Sequence, residues 1–592
     1  MTSATFRRSA VSLLLVLALA LPLPAQNIDF SKGKSHIPFV FGPYTPQFVP
    51  QPSLRNSPRI EDLIHEGKLY LSLQDAIYLA LENNLDIATA RYGPDIAETD
   101  LLRTKAGAGT PAGSFDPTVT YDFGWNRRSQ PQTTTFIAGT NKLLQTPVAN
   151  TFTYSQAFHT GTSFSILFST TRTSTNSNRT AFNPSFNSSL QFGFTQRLLN
   201  GFGFGPNTRF IRIAKNSREI SDHAFLQQVM DILSQVKNAY WELVFAREDV
   251  KVKEQSLALA QKLYEDNKRQ VEIGTLAPIE VVRAEAEVAR TRQDLIVAQT
   301  TLLQQQITMK NLLTKNPMDP LLALVEIEPA EPLEVPELPE VIPIQDALQI
   351  AMEKRPEIVQ AQLDLKNQKI TVDGAKNAML PSVDLSGSYT GAGLAGALNP
   401  LAVFDPVFNR PPSDEFIGYF QRSFTQAIQG VFPNYGFGVT INIPIKNRAA
   451  QAEMARAQLQ ERQAQVRYRR TVNQVIVEVR NAQIALEQSR ARIDAAEKAR
   501  ILWQETLDAE QKKFQLGAST IFLVIQAQRD LTQARSQEVR AKVEFKRAQV
   551  NFDRALGRTL EQSHITVEGA LSGVVTTGLV SPKLPGAGSN SR

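Results

Sequence analysis

Few residues in this chain are spaced to do covalent chemistry. Gly33-Lys34-Ser35 has the ending of a phosphate-binding loop, in which backbone N–H groups and a lysine cradle phosphate oxygens. Ile28 stands where the upstream glycine is required, and no strand–helix junction surrounds the tripeptide, so it reads as polar tail. Gly201-Phe-Gly-Phe-Gly205 begins like a dinucleotide-binding turn, yet Pro206 takes the place of the third glycine; these glycines read instead as the bend that lets a strand turn into a helix. The five histidines (36, 65, 159, 223, 564) are scattered, with no His-Glu-x-x-His pair to hold a metal. There is no Gly-x-Ser-x-Gly nucleophile elbow and no acid/base constellation. With no cysteine in 592 residues, disulfides, thiolate sites, Cys nucleophiles and acylation at Cys are all excluded. No catalytic, cofactor-binding or metal-binding residue is expected, and no enzyme.

The chemistry therefore belongs to elements larger than a constellation of side chains. Arg7 and Arg8, an apolar run from Ala10 to Leu21 and a small residue at Ala25 read as a secretory leader over 1–25, with a twin-arginine signal as a weaker variant. Net charge is +6, about +4 without those two arginines, and basic residues alternate with acidic ones, so no nucleic-acid partner is expected. Beyond residue 25 no run approaches 18 uninterrupted apolar residues; any membrane span must be built from strands.

The chain is written twice. Leu73-Gln-Asp-Ala-Ile-Tyr-Leu-Ala-Leu-Glu82 returns as Ile344-Gln-Asp-Ala-Leu-Gln-Ile-Ala-Met-Glu353, Val236-Lys-Asn-Ala-Tyr-Trp-Glu-Leu243 as Val479-Arg-Asn-Ala-Gln-Ile-Ala-Leu486, and Gly274–Glu285 as Gly517–Gln528. This divides the chain into a proline-marked extension (26–72), a first repeat (73–315), a linker (316–343), a second repeat (344–560) and a tail, mostly disordered (561–592). The linker carries seven acidic residues, no basic one and prolines throughout, and is expected to be extended.

From about Asn207 to Ile273 apolar residues alternate in steps of three and four: Val229, Ile232, Val236, Ala239, Leu243, Ala246, Val250, Leu257, Ala260, Tyr264. The second copy repeats the seam with Val472, Val475, Val479, Ala482, Leu486, Ile493 and Ala496. At 1.5 Å per residue, each helix is roughly 100 Å long. The returning helices, Pro278 to Leu313 and Ile521 to Leu556, are too short to match them, and the opening helices at 73–107 and 344–378 supply the remainder.

Between opening and long helices the period changes to two. Val119, Tyr121, Phe123 and Trp125 alternate with Thr118, Thr120, Asp122 and Gly124; Phe164, Ile166 and Phe168, then Leu190, Phe192 and Phe194, alternate with mostly small or polar neighbours. In the second copy Val383, Leu385 and Tyr389 do so, as do Phe437, Val439, Ile441 and Ile443. A greasy face backed by a small polar one fits a sheet between lipid and water; a half-buried sandwich strand shows the same alternation, and the leader and outward aromatics favour lipid. Four to six such strands cannot close a barrel that needs about eight, so several chains must share the wall.

On these repeats the chain resembles the TolC-like outer-membrane efflux proteins (outer membrane factors) from about 70 to 560. The carrying motifs are Leu71-Ser-Leu-Gln-Asp-Ala with Ala80-Leu-Glu-Asn-Asn84, their copy at 344, and the turns Gly274-Thr-Leu-Ala-Pro-Ile-Glu-Val281 and Gly517-Ala-Ser-Thr-Ile-Phe-Leu-Val524. The resemblance implies a mainly α protein with membrane β structure: duplicated helical hairpins forming a periplasmic α-barrel, and a homotrimer sharing one 12-stranded β-barrel in outer-membrane lipid. Four strands per chain would suffice, so the candidate strand near Phe152 and Tyr154 is assigned to an enlarged external loop.

The family further implies a passive exit duct of a tripartite efflux or type I secretion system. Its helix tips, here Gly274, Thr275, Leu276, Gly517, Ala518 and Ser519, would meet a periplasmic adaptor (membrane fusion) protein joined to an inner-membrane pump or ABC exporter. Better-known members pinch the tunnel with acidic residues six and nine positions after the second glycine and a basic one two after it. Here those places hold Leu523, Gln526 and Ser519, while the first repeat offers Glu280 and Arg283 as a candidate aperture. Rival readings are a periplasmic adaptor, disfavoured by the duplication and strands, and a secreted enzyme on a helical stalk, disfavoured by the missing catalytic groups.

Overall fold

The computed structural model describes residues 44, 49–108, 113–323, 325–333, 342–403 and 411–573. The expected leader, Gly33-Lys34-Ser35, His36 and residues 574–592 of the tail lie outside the described residues. The chain divides into two compact units, Met1–Asn56 and Ser57–Arg592. Every element of the fold named below lies in the second.

Each repeat opens with a broken helix. In the first, α1 (Leu73–Asn83) starts at Ser72, whose hydroxyl accepts from the Asp75 N–H, and α2 (Leu85–Lys105) starts at Asn84, whose side-chain oxygen accepts from the Asp86 and Ile87 N–H groups. An asparagine that satisfies the first amides of the next helix competes with continuation of the last one, so 73–107 is two helices and not one. In the second repeat, α5 (Ile344–Lys354) and α6 (Pro356–Ala378) part at Arg355. There proline makes the break, by holding the preceding residue in the extended region at ψ 119°.

The long helices are α3 (Arg209–Glu272, 64 residues) and α8 (Arg448–Gln515, 68 residues), and their returning partners are α4 (Pro278–Leu313) and α9 (Ile521–Ala555). At 1.5 Å per residue the long pair measure about 95 to 100 Å and the returns little more than half of that. α4 and α2 both pack along α3, and α9 and α6 along α8, so each rod has one continuous side and one composite side. The seam residues Val229, Ile232, Val236, Leu243, Ala246, Val250 and Ala260 are buried, as are Val472, Val475, Val479 and Ile493.

The two repeats are welded along α3 and α9. Asp231 pairs with Arg554 at 2.6 Å, Glu242 with Arg540 at 2.6 Å and Arg547 at 3.0 Å, and Asp249 accepts from Ser536 at 2.6 Å. Spacings of eleven and seven residues, three and two helical turns, place these groups on one stripe of α3. Where α1, α3 and α4 meet, Leu71, Ile77, Leu79, Leu81, Leu233, Tyr240, Met309 and Leu313 form the main core.

The extension and linker enter that core. β1 (Lys68–Leu71) pairs in parallel with β6 (Glu326–Pro329), and Ile327 is fully buried. The like charges of 316–343 set no obstacle, because Glu328 meets Lys68 and Arg247. The start of the tail is likewise ordered: a short helix at Val567–Ser572 buries Ala570, whose carbonyl accepts from Arg91.

Six long antiparallel strands form one sheet among the described residues. In chain order they are β2 (Thr118–Trp125), β3 (Lys142–Ala157), β4 (Thr162–Thr175), β5 (Phe182–Arg197), β7 (Ser382–Leu398) and β8 (Phe432–Asn442). Spatial order is β8-β7-β5-β4-β3-β2, with a short seventh strand, Arg128–Pro131, continuing the β2 pairing onto β3. The expected external-loop assignment of Phe152 and Tyr154 is therefore corrected. Both lie in β3, with Phe152 opposite Tyr121 and Phe168, and Tyr154 opposite Val119 and Ile166. Among the described residues the sheet thus holds six long strands, where the resemblance implied four per chain in the barrel. The candidate strand near Phe152 and Tyr154 is a strand of the sheet, although Asn150 and Gln156 interrupt its apolar face.

Candidate export path

Register across the sheet divides its side chains at mid-height into two environments, with Leu167 on the polar face and Asn150 on the apolar one as exceptions. Val119, Tyr121, Phe123, Phe152, Tyr154, Ile166, Phe168, Phe192, Phe194, Tyr389, Tyr435, Phe437 and Val439 share one face; Thr120, Thr153, Ser165, Gly193, Ser388 and Gly436 are on the other. The polar face is concave, and Ser155, Ser163, Ser165, Thr195, Ser386 and Ser388 line its hollow. Val119, Tyr121, Phe123 and Trp125 are each more than half exposed on the convex face. Aromatic exposure on this scale is costly against water and favourable against lipid.

One helix interrupts the aromatic face. α7 (Phe420–Gln429) lies across β7 and β5 near the end remote from the long helices, with Phe424 edge-on to Phe168 and Ser423 bonded to Ser188 at 2.9 Å. Gly391 and Gly393 let it approach: a Cβ at either would collide with the backbone carbonyl of Ala427 or Ser423. No period-two pattern marks this segment; its one local sign is the paired glycines of Gly391-Ala-Gly393.

At the strand–helix junction Gly201 and Gly203 adopt φ of 81° and 82°, and Asn207 donates to both of their carbonyls at 2.8 Å. The Gly201–Gly205 stretch is thus the bend between β5 and α3.

The two helix tips are built alike. Gly274 (φ 78°) ends α3, with Thr275 N–H bonded to the Gln270 carbonyl at 2.9 Å and Gly274 N–H to Val271 at 3.0 Å; Gly517 (φ 76°) ends α8 through Ala518 to Lys513 at 2.8 Å and itself to Phe514 at 3.0 Å. Only glycine enters this left-handed cap without strain, so the turn alone accounts for both glycines. Leu276 and Ser519 are half-buried, the other tip residues exposed, and Ser519 is tied to Glu510 at 2.6 Å. Ile273, Ile279, Leu516 and Phe522 flank the turns, all more than half exposed.

The candidate aperture residues do not converge. Glu280 and Arg283 pair with each other at 3.0 Å along one face of α4; Leu523 is exposed; Gln526 bonds Asp530 at 3.2 Å on α9. A link that the repeat comparison did not disclose lies two turns further up. Glu287 on α4, only 3% exposed, binds Arg529 of α9 at 2.5 Å and Arg290 at 3.0 Å, joining the two hairpins near their tips. Its signal was a buried-face glutamate opposite an arginine in another repeat, which spacing within one repeat cannot show.

Among the described residues no cluster of His, Asp or Glu could hold a metal ion, and no helix is long and apolar enough to cross a membrane.

Comparison with known proteins agrees with this architecture. The chain is 22% identical over 337 residues to Nodulation protein T of Rhizobium leguminosarum bv. trifolii, covering 57% of this chain and 64% of that protein, so the match spans less than two thirds of that relative. It is 22% identical over 364 residues to the pyoverdine export outer membrane protein OpmQ of Pseudomonas aeruginosa, 60% of this chain and 67% of the relative. The Campylobacter jejuni CmeC outer membrane channel superposes with a TM-score of 0.57 at 16% identity, over 90% of this chain and 98% of that one. The model of the outer membrane efflux protein family matches residues 163–315 and 347–558, more than half of the chain. The chain belongs to the outer membrane efflux protein family.

Proposed function

We propose that this protein is one subunit of a homotrimeric exit duct in the bacterial outer membrane, with the sheet in the lipid and the helical rods in the periplasm. What carries the reading is the continuity of one sheet, aromatic outside and hydroxyl-lined inside, with two long coiled hairpins at a single end. A sheet with two open edges cannot stand in lipid, where unpaired backbone amides find no water. Closure by other copies removes the edges. The duct is a passive path for cargo delivered by an inner-membrane pump or ABC exporter, as in tripartite efflux or type I secretion; the similarity to OpmQ, a pyoverdine export outer membrane protein, supports an export role.

The tips at Gly274-Thr275-Leu276 and Gly517-Ala518-Ser519, with their exposed Ile273, Ile279, Leu516 and Phe522, are the surface for a periplasmic adaptor. Glu280 and Arg283 are proposed to narrow the aperture. Light scattering on detergent-purified protein from outer-membrane fractions, corrected for detergent, is expected to give about three chain masses; one chain mass would sink the duct reading. Replacing Glu280 and Arg283 together with alanine is expected to raise single-channel conductance. Unchanged conductance removes them from the aperture while leaving the duct in place.

A further inference from the structure

Resting on that reading, we propose that each chain inserts six strands, not four, into the shared wall, so that the trimer closes an 18-stranded barrel by joining β2 of one copy to β8 of the next.

The alternative is that β2 and β3 form a flap outside the wall. Four observations oppose it. The pairing runs unbroken from β8 to β2, apart from a shift at the outer end of β5 and β7. The aromatic face continues onto the last strand, where Val119, Tyr121, Phe123 and Trp125 are exposed in line with Phe192 and Phe437; a flap in water would hold that face against solvent. β3 and β4 are 16 and 14 residues long, and β2 with its continuation runs against residues 142–155 of β3, all beyond the roughly 9 to 11 residues that a tilted strand needs to cross. The β3–β4 turn also packs at the helix rim: Gly203 N–H donates to the Thr160 carbonyl at 3.0 Å and Arg197 N–H to that of Gly161 at 3.2 Å. β2 with its continuation, β3 and β4 thus run between the rim and the far end.

The edges fit one another. A hydrogen-bonded line across the sheet from Thr118 passes Ser155, Ser165, Gly193 and Ser388 and reaches Gly436. Strands tilted about 35–45° and about 4.8 Å apart slip by roughly one to one and a half residues each, or about six to nine per subunit. An odd slip would set polar faces against apolar ones, leaving six or eight. In one direction the line closes at Asn442 or Pro444, beside the start of α8. In the other it closes at Gly430 or Ile428, which have left the sheet for α7. The edges therefore meet with Thr120 facing Thr440 or Asn442, running antiparallel. At equal tilt such a wall is about half again as wide as a 12-stranded one. The size limit on cargo then lies in the helical tunnel and its tips.

The chain has no cysteine, so engineered pairs report without background. Thr120→Cys combined with Thr440→Cys, and separately with Asn442→Cys, is oxidised in outer membranes; Ser165→Cys on β4 with the same partners marks the wall that would exist if β2 and β3 lay outside it. The expected result is a covalent trimer from a Thr120 pair and none from the Ser165 pairs. Trimers from Ser165 alone overturn the six-strand wall and leave the duct intact. A purified particle of one chain mass removes the duct itself and the inference with it. A cryo-electron microscopy map of the unmodified particle decides independently of the variants, eighteen strands upholding the inference and twelve overturning it.

Discussion

The two repeats keep the same helical frame and differ in what they hang on it. At the kink, Asn84 of the first repeat donates to the Leu312 carbonyl at 3.1 Å, and Arg355 of the second donates to the Ala555 carbonyl at 3.2 Å. Leu312 and Ala555 stand at matching places after Gly274 and Gly517, so the same orphan carbonyl at the end of a returning helix is satisfied by two different side chains. The tips match bond for bond. Between these fixed points the first repeat inserts four strands and the second two, with α7 in addition. An even number is obligatory, because each insertion must leave and return at the helix rim. Duplication has therefore constrained the ends of the insertions and left their contents free.

The cores diverge as sharply, and the largest expected effect breaks the comparison there. Tyr240 is fully buried, with its hydroxyl donating to the Leu71 carbonyl at 3.2 Å, and burial pushes its pKa well up. Its counterpart in the second copy is Gln483, whose side chain reaches only to Glu487 on the same helix. Tyr240→Ala is expected to cost about 3–5 kcal/mol, by analogy with other aromatic truncations, and Gln483→Ala less than about 0.5 kcal/mol. Thermal melting of the two purified variants side by side checks this. Equal losses would mean that the second hairpin carries as much of the stability as the first.

A smaller effect sharpens the comparison at the kink. Asn84→Ala removes a helix cap and strands the Leu312 carbonyl, an expected loss of about 1–2 kcal/mol. Arg355 is also held by Glu357 at 2.9 Å and Glu478 at 2.7 Å, and those anions favour its charged form against the burial that disfavours it. If Asn84→Ala melts with the unmodified protein, the shared carbonyl contact is geometry without energetic weight.

Helices were legible to within a few residues wherever a heptad seam or a Pro/Gly boundary marked them, as at Pro278, Ile521 and the two tip glycines. Period-two strands were legible where both faces were pure, as in Val119–Trp125 and Phe437–Ile441. β3 reads as a candidate strand and is set aside only because the resemblance implies four strands per chain, whereas the sheet holds six long ones. The helix breaks had local marks, a capping asparagine at Asn84 and a proline after Arg355, that the repeat alone did not single out, whereas the Glu287–Arg529 link and α7 depend on a partner 242 residues away or on backbone approach, which no local pattern encodes. Of the candidate site, the tip turns were readable because glycine chemistry is local. The convergence of Glu280, Arg283, Leu523 and Gln526 is not a property of one chain, since an aperture is made by copies around an axis.

The smallest expected effect concerns Glu331, at the mouth of the linker in the first repeat's core, where the second repeat has no equivalent acid. Burial raises its pKa above the ordinary carboxylate value, partly offset by the hydrogen bond it accepts from the Leu73 N–H at 3.1 Å and by Lys546. With the folded pKa raised, the folded state binds the proton more tightly than the unfolded one, and stability falls as pH rises from the ordinary carboxylate range through the raised value. Glu331→Gln keeps an oxygen for Leu73 and removes the buried charge. The variant is therefore expected to melt above the unmodified protein at pH 7 and to lose that advantage near pH 4, where the wild-type carboxyl is already protonated. An advantage that persists unchanged at pH 4 would assign the gain to packing and not to charge; a variant less stable at pH 7 would mean that attraction to Lys546 outweighs burial.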